Sequence, residues 1–103
     1  MKNVILSADS DRRVYSVPDA VADNLEKYCM EFIDWLEASP DAKKYRRKGV
    51  LWYDESDFIL YLNKYVFPHS PKEQSVYVKN LSLGNTYARN VPSEYKDCPS
   101  FNF

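Results

Sequence analysis

The stretch "VPDAVADNLEKYCMEFIDWLEAS", residues 17–39, leaves few folds open to the chain. Val21, Leu25, Tyr28, Cys29, Phe32, Ile33 and Leu36 recur at three- and four-residue steps, so a helix gathers them on one face. Asp23, Glu26, Lys27, Glu31, Asp34 and Glu37 fall mostly opposite. Pro18 suits the first helical position, and Asp19 and Asp23 complement the positive end of the helix dipole. The spacing predicts a helix over 18–38 that forms the axis of a core. A stripe this wide must be covered by other elements, and the remaining sequence has to supply them.

The 103 residues fit one domain, spanning 1–103, and a chain of this size can bury enough surface for one core. "NVILSA" (3–8), "DSDRR" and "VYSV" (14–17) read as strand, turn and strand. In "SPDAKKYRRKG", Ser39 caps, Pro40 begins and Gly49 stops a short helix over 40–48. "VLWY" (50–53) reads as an apolar link, with a short strand as the alternative. "DESDFILYLNKYVFP" gives a third helix, with Asp54 as its cap, acidic residues in its first turn and Pro68 just beyond its end. "SVYVKNLSL" (75–83) alternates as a strand, and "GN" (84–85) can turn it back into 86–91. The expected fold is α+β: a small, mainly antiparallel sheet from 3–7, 13–17, 75–82 and 86–91, with one long and two shorter helices on one face. The tail, "PSEYKDCPSFNF", carries two late phenylalanines and is expected to pack over the domain.

Sixteen per cent of the residues are aromatic, with nine Tyr, five Phe and two Trp. Tyr hydroxyls need partners, which places many of these rings at the core edge or in an interface. The only early apolar run, Val4 to Leu6, is too short for a signal peptide, and nothing later approaches a membrane span. Cys29 and Cys98 do not make a disulfide framework, which points to reduced thiols in the cytoplasm.

Catalytic chemistry finds little support. His69 is the only histidine, and with Cys29 and Cys98 it offers no metal-ligand spacing. Cys98 with His69 is the one candidate nucleophile–base pair, and Cys29 lies on the inward stripe. "DSD" (9–11) and "DESD" (54–57) lack the spaced oxygens and the Gly of a calcium loop. With two glycines in the chain, a Gly-rich phosphate loop is excluded. The sequence therefore predicts no catalytic residue, no metal site and no cofactor.

Charge is the remaining signal. Residues 1–39 carry net −4, 40–49 net +4, 50–70 net −2 and 71–103 net +1. Such banding, with a pI near 5.8, argues against a general nucleic-acid coat. "AKKYRRKG" (42–49) holds five cations in eight residues. The leading reading is a solvated helix face, followed by a site for an acidic protein. Nucleic acid held at its phosphates by the helix 42–48 ranks third. A helix-turn-helix is disfavoured because the third helix begins "DESD", and those carboxylates would repel phosphates. The candidate contact residues are Lys43, Lys44, Tyr45, Arg46, Arg47 and Lys48, with the rings of Trp52, Tyr53, Phe101 and Phe103. For Trp52, core filling is the stronger expectation. The expected function is a small intracellular interaction or regulatory module with a protein partner. A homo-oligomer also fits the exposed rings, and no membrane contact is expected.

Through "YSVPDAVADNLEKYCMEFIDWL", "SPDAKKYR", "DFILYLNKYVFP" and "DCPSFNF", the sequence resembles a family of small uncharacterised proteins of gut anaerobic Firmicutes. The resemblance runs from Tyr15 onward and implies a bacterial, cytoplasmic setting. It carries no activity or site residue with it.

Overall fold

The apolar stripe of residues 18–38 is buried as its spacing predicts, but one helix does not present it. The computed structural model describes residues 1–8, 11–81 and 91–103. Within them the stripe is divided between α1 (Asp19–Asp23) and α2 (Leu25–Ala38). The break is at Asn24, whose backbone leaves helical geometry at φ −135° and ψ 42°. Its side-chain Nδ2 donates to the Ala20 carbonyl at 3.0 Å, and its amide donates to the Val21 carbonyl. Asn competes for backbone partners in this way and so interrupts helices. Val21, Leu25, Cys29, Phe32 and Leu36 nonetheless all face the core.

The sheet explains what the stripe packs against. β1 (Lys2–Ala8) and β2 (Asp11–Val17) pair antiparallel from Lys2↔Val17 to Ala8↔Asp11. Strand alternation sends Val4, Leu6, Tyr15 and Val17 into the helix layer, where they join the same core. Ile5 and Val14 are paired on the opposite face and are buried as well. β5 (Val76–Asn80) adds antiparallel to β2, with a register shift between Val14 and Tyr15. The expected strand at 86–91 lies almost wholly outside the described residues.

The tail does more than pack over the domain. Ser100–Asn102 forms β6, a parallel edge strand on β1, which completes the order β5-β2-β1-β6. The protein is thus α+β, and among the described residues its main sheet has four strands, two pairings antiparallel and one parallel. β6 delivers Phe103 onto the core, where its ring lies 5.9 Å from Phe32 and 5.6 Å from Phe58.

The third predicted helix begins as expected. α3 (Glu55–Tyr61) is capped by Asp54, whose side chain accepts from the amides of Ser56 and Asp57. Asp57 reciprocates, accepting from the Asp54 amide at 3.0 Å. This capping box satisfies otherwise orphaned donors. Asp54→Ala is therefore expected to cost about 1 kcal/mol in a denaturation experiment. An unchanged midpoint would contradict the cap. After Tyr61 the backbone widens into a π turn over Leu62–Val66, closed by Phe67 N–H to the Leu62 carbonyl at 2.8 Å.

The basic stretch departs most from expectation. Ser39 caps as predicted, its hydroxyl accepting from the Asp41 amide, but the following helix is a 3₁₀ segment that ends at Tyr45. Arg46–Arg47 forms β3 and Val50–Leu51 forms β4, paired antiparallel across a two-residue turn. Lys48 (φ 52°) and Gly49 (φ 77°) are both left-handed, as a type I′ hairpin turn requires. Gly49 satisfies the same left-handed preference in a hairpin that it would have satisfied at a helix stop.

Candidate interaction surface

The hairpin sorts the five cations into separate roles. Arg46 is not available to a partner: its guanidinium donates to the Leu36 carbonyl at 2.7 Å and the Ser39 carbonyl at 2.9 Å. It thereby satisfies carbonyls at the C-terminus of α2, where positive charge is favoured. Arg46→Ala is expected to cost about 1.5–3 kcal/mol, the scale of a lost charged hydrogen bond. Arg47→Ala, on the exposed side of the hairpin, should stay within about 0.5 kcal/mol. Equal losses for the two variants would refute the division.

Lys43, Lys44, Arg47 and Lys48 are exposed, and none makes an ion pair among the described residues. Arg47 is paired with Val50, which is 54% exposed. Trp52 follows, held by its amide to the Tyr45 carbonyl at 2.8 Å, and its side chain is 65% exposed. The expectation that Trp52 fills the core is thus corrected. Leu51 and Tyr53 both pack against the core, and the alternation of extended backbone turns the Trp52 between them outward.

The other candidate rings belong mainly to the interior. Tyr45 is 8% exposed, packs 6.1 Å from Trp35, and sends its hydroxyl toward Asp57 at 3.4 Å. Burial first, then the Asp57 carboxylate, raises its pKa above the ordinary tyrosine value. Tyr53 meets Phe32 and Phe103 edge-on, and burial raises its pKa as well. Phe101 and Phe103 are half-buried against the core and meet edge-on, with ring centroids 4.8 Å apart. Of the residues singled out in the sequence, the structure leaves Lys43, Lys44, Arg47, Lys48 and Trp52 open to a partner.

Beside this surface is a groove that the sequence did not single out. Trp35 forms its centre, 5.2 Å from Tyr61 and 4.9 Å from Tyr65 by ring centroids. Tyr45 and Lys44 complete it from the 3₁₀ segment, and Leu60 and Lys64 from α3 and its π turn. The groove encloses about 140 Å³. Linear spacing hides it, because Lys44 and Lys64 are brought together only when the 3₁₀ segment docks beside α3.

A larger, open depression of about 570 Å³ lies by β1 and β6, bordered by Ile5, Lys96 and Cys98. Cys98 is half-exposed there, and burial followed by Asp97 raises its thiol pKa. Cys29 is fully buried, and burial pushes its thiol up to about 12. His69 is exposed, and among the described residues no hydrogen bond joins it to Cys98. A thiol reagent added to the folded protein is expected to modify Cys98 and spare Cys29. Rapid labelling of both would contradict the placement of Cys29. No group of three His, Cys, Asp or Glu among the described residues could hold a metal ion, and no described helix is long and apolar enough to cross a membrane.

No protein-family model, curated protein or solved structure matches the chain.

Proposed function

We propose that this chain is a small, non-catalytic interaction or regulatory module of the bacterial cytoplasm, and that its basic hairpin meets an acidic protein. One observation carries the reading: Trp52, two residues past the Val50 that pairs with Arg47, stands 65% exposed, and Arg47 and Lys48 are exposed with no ion pair among the described residues. Burying an indole from water is favourable, and exposed Trp and Arg are the residue types that dominate interface energies. The two-residue turn supports the reading further, since a fixed hairpin loses little freedom when it binds. The cytoplasmic setting rests on the two free thiols and on the family resemblance.

An acidic partner is favoured over nucleic acid by the charge of the whole chain. Its formal net charge is −1, and the bands on either side of 40–49 are acidic. A polyanion engaging four phosphates would have to lie close to them.

Titrations with a glutamate-rich peptide and with mixed-sequence DNA, each at two salt concentrations, test the proposal. The peptide should bind, and neutralising Lys43, Lys44, Arg47 and Lys48 together should abolish that binding while the fold is retained. Arg46 is left intact because it holds the end of α2. DNA should bind negligibly at physiological salt. DNA binding whose affinity falls with log salt at a slope of about −4, flattened by the quadruple variant, would overturn the proposal.

A further inference from the structure

The groove beside the hairpin is lined mainly by aromatic rings, and both lysines and carboxylates border it. Trp35 supplies the floor. Tyr45 forms one wall, 6.1 Å from Trp35, and Tyr65 forms another, 4.9 Å from it. Leu60, half in solvent, adds an aliphatic side. The volume of about 140 Å³ is close to the roughly 150 Å³ of an apolar cavity that accepts benzene. The groove therefore has room for a single phenyl-sized group.

The charges at the groove differ in how far they are committed. Asp57 is engaged at both oxygens, by the Tyr45 hydroxyl and by the Asp54 amide of the capping box. Asp41 sits exposed in the first turn of the 3₁₀ segment. Lys44 and Lys64 make no ion pair among the described residues. Their ammonium groups rest over ring faces instead, 5.1 Å from the Tyr45 centroid and 5.5 Å from the Tyr65 centroid. These are weak, exposed contacts that a carboxylate readily displaces.

We infer that this groove is the anchor pocket for a peptide segment of the acidic partner. One phenylalanine-sized side chain enters between Tyr45 and Tyr65, and carboxylates on either side of it meet Lys44 and Lys64. The inference rests on the interaction reading above and extends it, since Lys44 and Tyr45 belong to the same 3₁₀ segment that leads into the hairpin. A buried ring in a close-fitting pocket, bordered by charges that set orientation, is the arrangement that concentrates affinity in a few residues. A nucleic-acid base is the poorer occupant, because each added nucleotide brings a phosphate toward Asp41 or the acidic start of α3.

Two fluorescent peptides test this, one with a central Phe between Glu residues and one with Ala in its place. They are titrated into the full chain and into Leu60→Trp, which fills the groove, and Lys64→Glu, which reverses its rim. Circular dichroism and denaturation midpoints check that both variants fold. The Phe peptide should bind about tenfold more tightly than the Ala peptide; Leu60→Trp should abolish that difference, and Lys64→Glu should weaken both peptides. Equal affinities for the two peptides, no binding of either, or a difference that survives Leu60→Trp would overturn the inference. If the affinities are equal but Arg47→Ala weakens both, the groove is refuted while the hairpin surface stands. Tighter binding of a single-stranded oligonucleotide, lost in Lys64→Glu, would overturn both in favour of nucleic acid.

Discussion

Phe32→Ala is expected to lower stability by about 3–5 kcal/mol, the range for removing a fully buried aromatic ring. Phe32 is inaccessible to solvent and lies at the centre of the aromatic cluster. Its ring is within 6.2 Å of those of Trp35, Tyr53, Phe58, Tyr61 and Phe103. Those partners come from α2, the link after β4, α3 and the C-terminal tail, so they cannot all move to close the cavity. Interiors are close-packed, and a void bounded on several sides relaxes little. Glu31→Ala provides the control. Glu31 is exposed, and its contact with Lys27 at 4.0 Å is the kind of surface pair that contributes little. Its change should stay within about 0.5 kcal/mol. Equal urea midpoints for the two variants would place the core on another face of α2.

Arg13→Ala is expected to have a comparable effect for a different reason. Glu55, at the first turn of α3, is 0% exposed, and one of its oxygens is ion-paired to the guanidinium of Arg13 on β2. The other oxygen has no hydrogen-bond partner among the described residues. Arg13 also reaches Asp11 at 2.8 Å, so one side chain ties β2 to the start of α3. Removing it strands a buried carboxylate, a change that typically costs about 3–5 kcal/mol. Replacing both partners, as Arg13→Met with Glu55→Leu, should recover most of the loss because no charge is left unpaired. If the double variant is as unstable as Arg13→Ala, packing rather than charge accounts for the effect.

What could be read in advance follows the range of the interactions involved. The stripe of α2 and the Asp54 cap depend on residues three or four positions apart, and both were legible. The break at Asn24 was not, because an Asn at a solvent-facing position of a helical pattern looks like any polar residue until its side chain takes the Ala20 carbonyl. β6 was hidden because three residues of the tail pair with a strand at the opposite end of the chain. The basic stretch misled because "KG" serves equally as a helix stop and as a type I′ turn. Only tertiary contact between Arg46 and the end of α2 decides between them. The same docking determines which of five similar cations remain open, and a composition cannot reveal that. Of the expected contact rings, Tyr45, Tyr53, Phe101 and Phe103 are packed to differing degrees against one cluster.

The claim that the hairpin presents Trp52, Arg47 and Lys48 to an acidic protein is tested most directly by affinity capture from the source organism. The tagged wild-type chain and a Trp52→Ala, Arg47→Ala, Lys48→Ala variant are compared, each with and without nuclease treatment of the lysate. All three side chains are exposed, so the variant should match the wild type in denaturation midpoint to within about 1.5 kcal/mol of stability. The account predicts an acidic protein that the wild type retains after nuclease treatment and the variant does not. Recovery that nuclease abolishes, or a partner that the variant holds equally well, would contradict it.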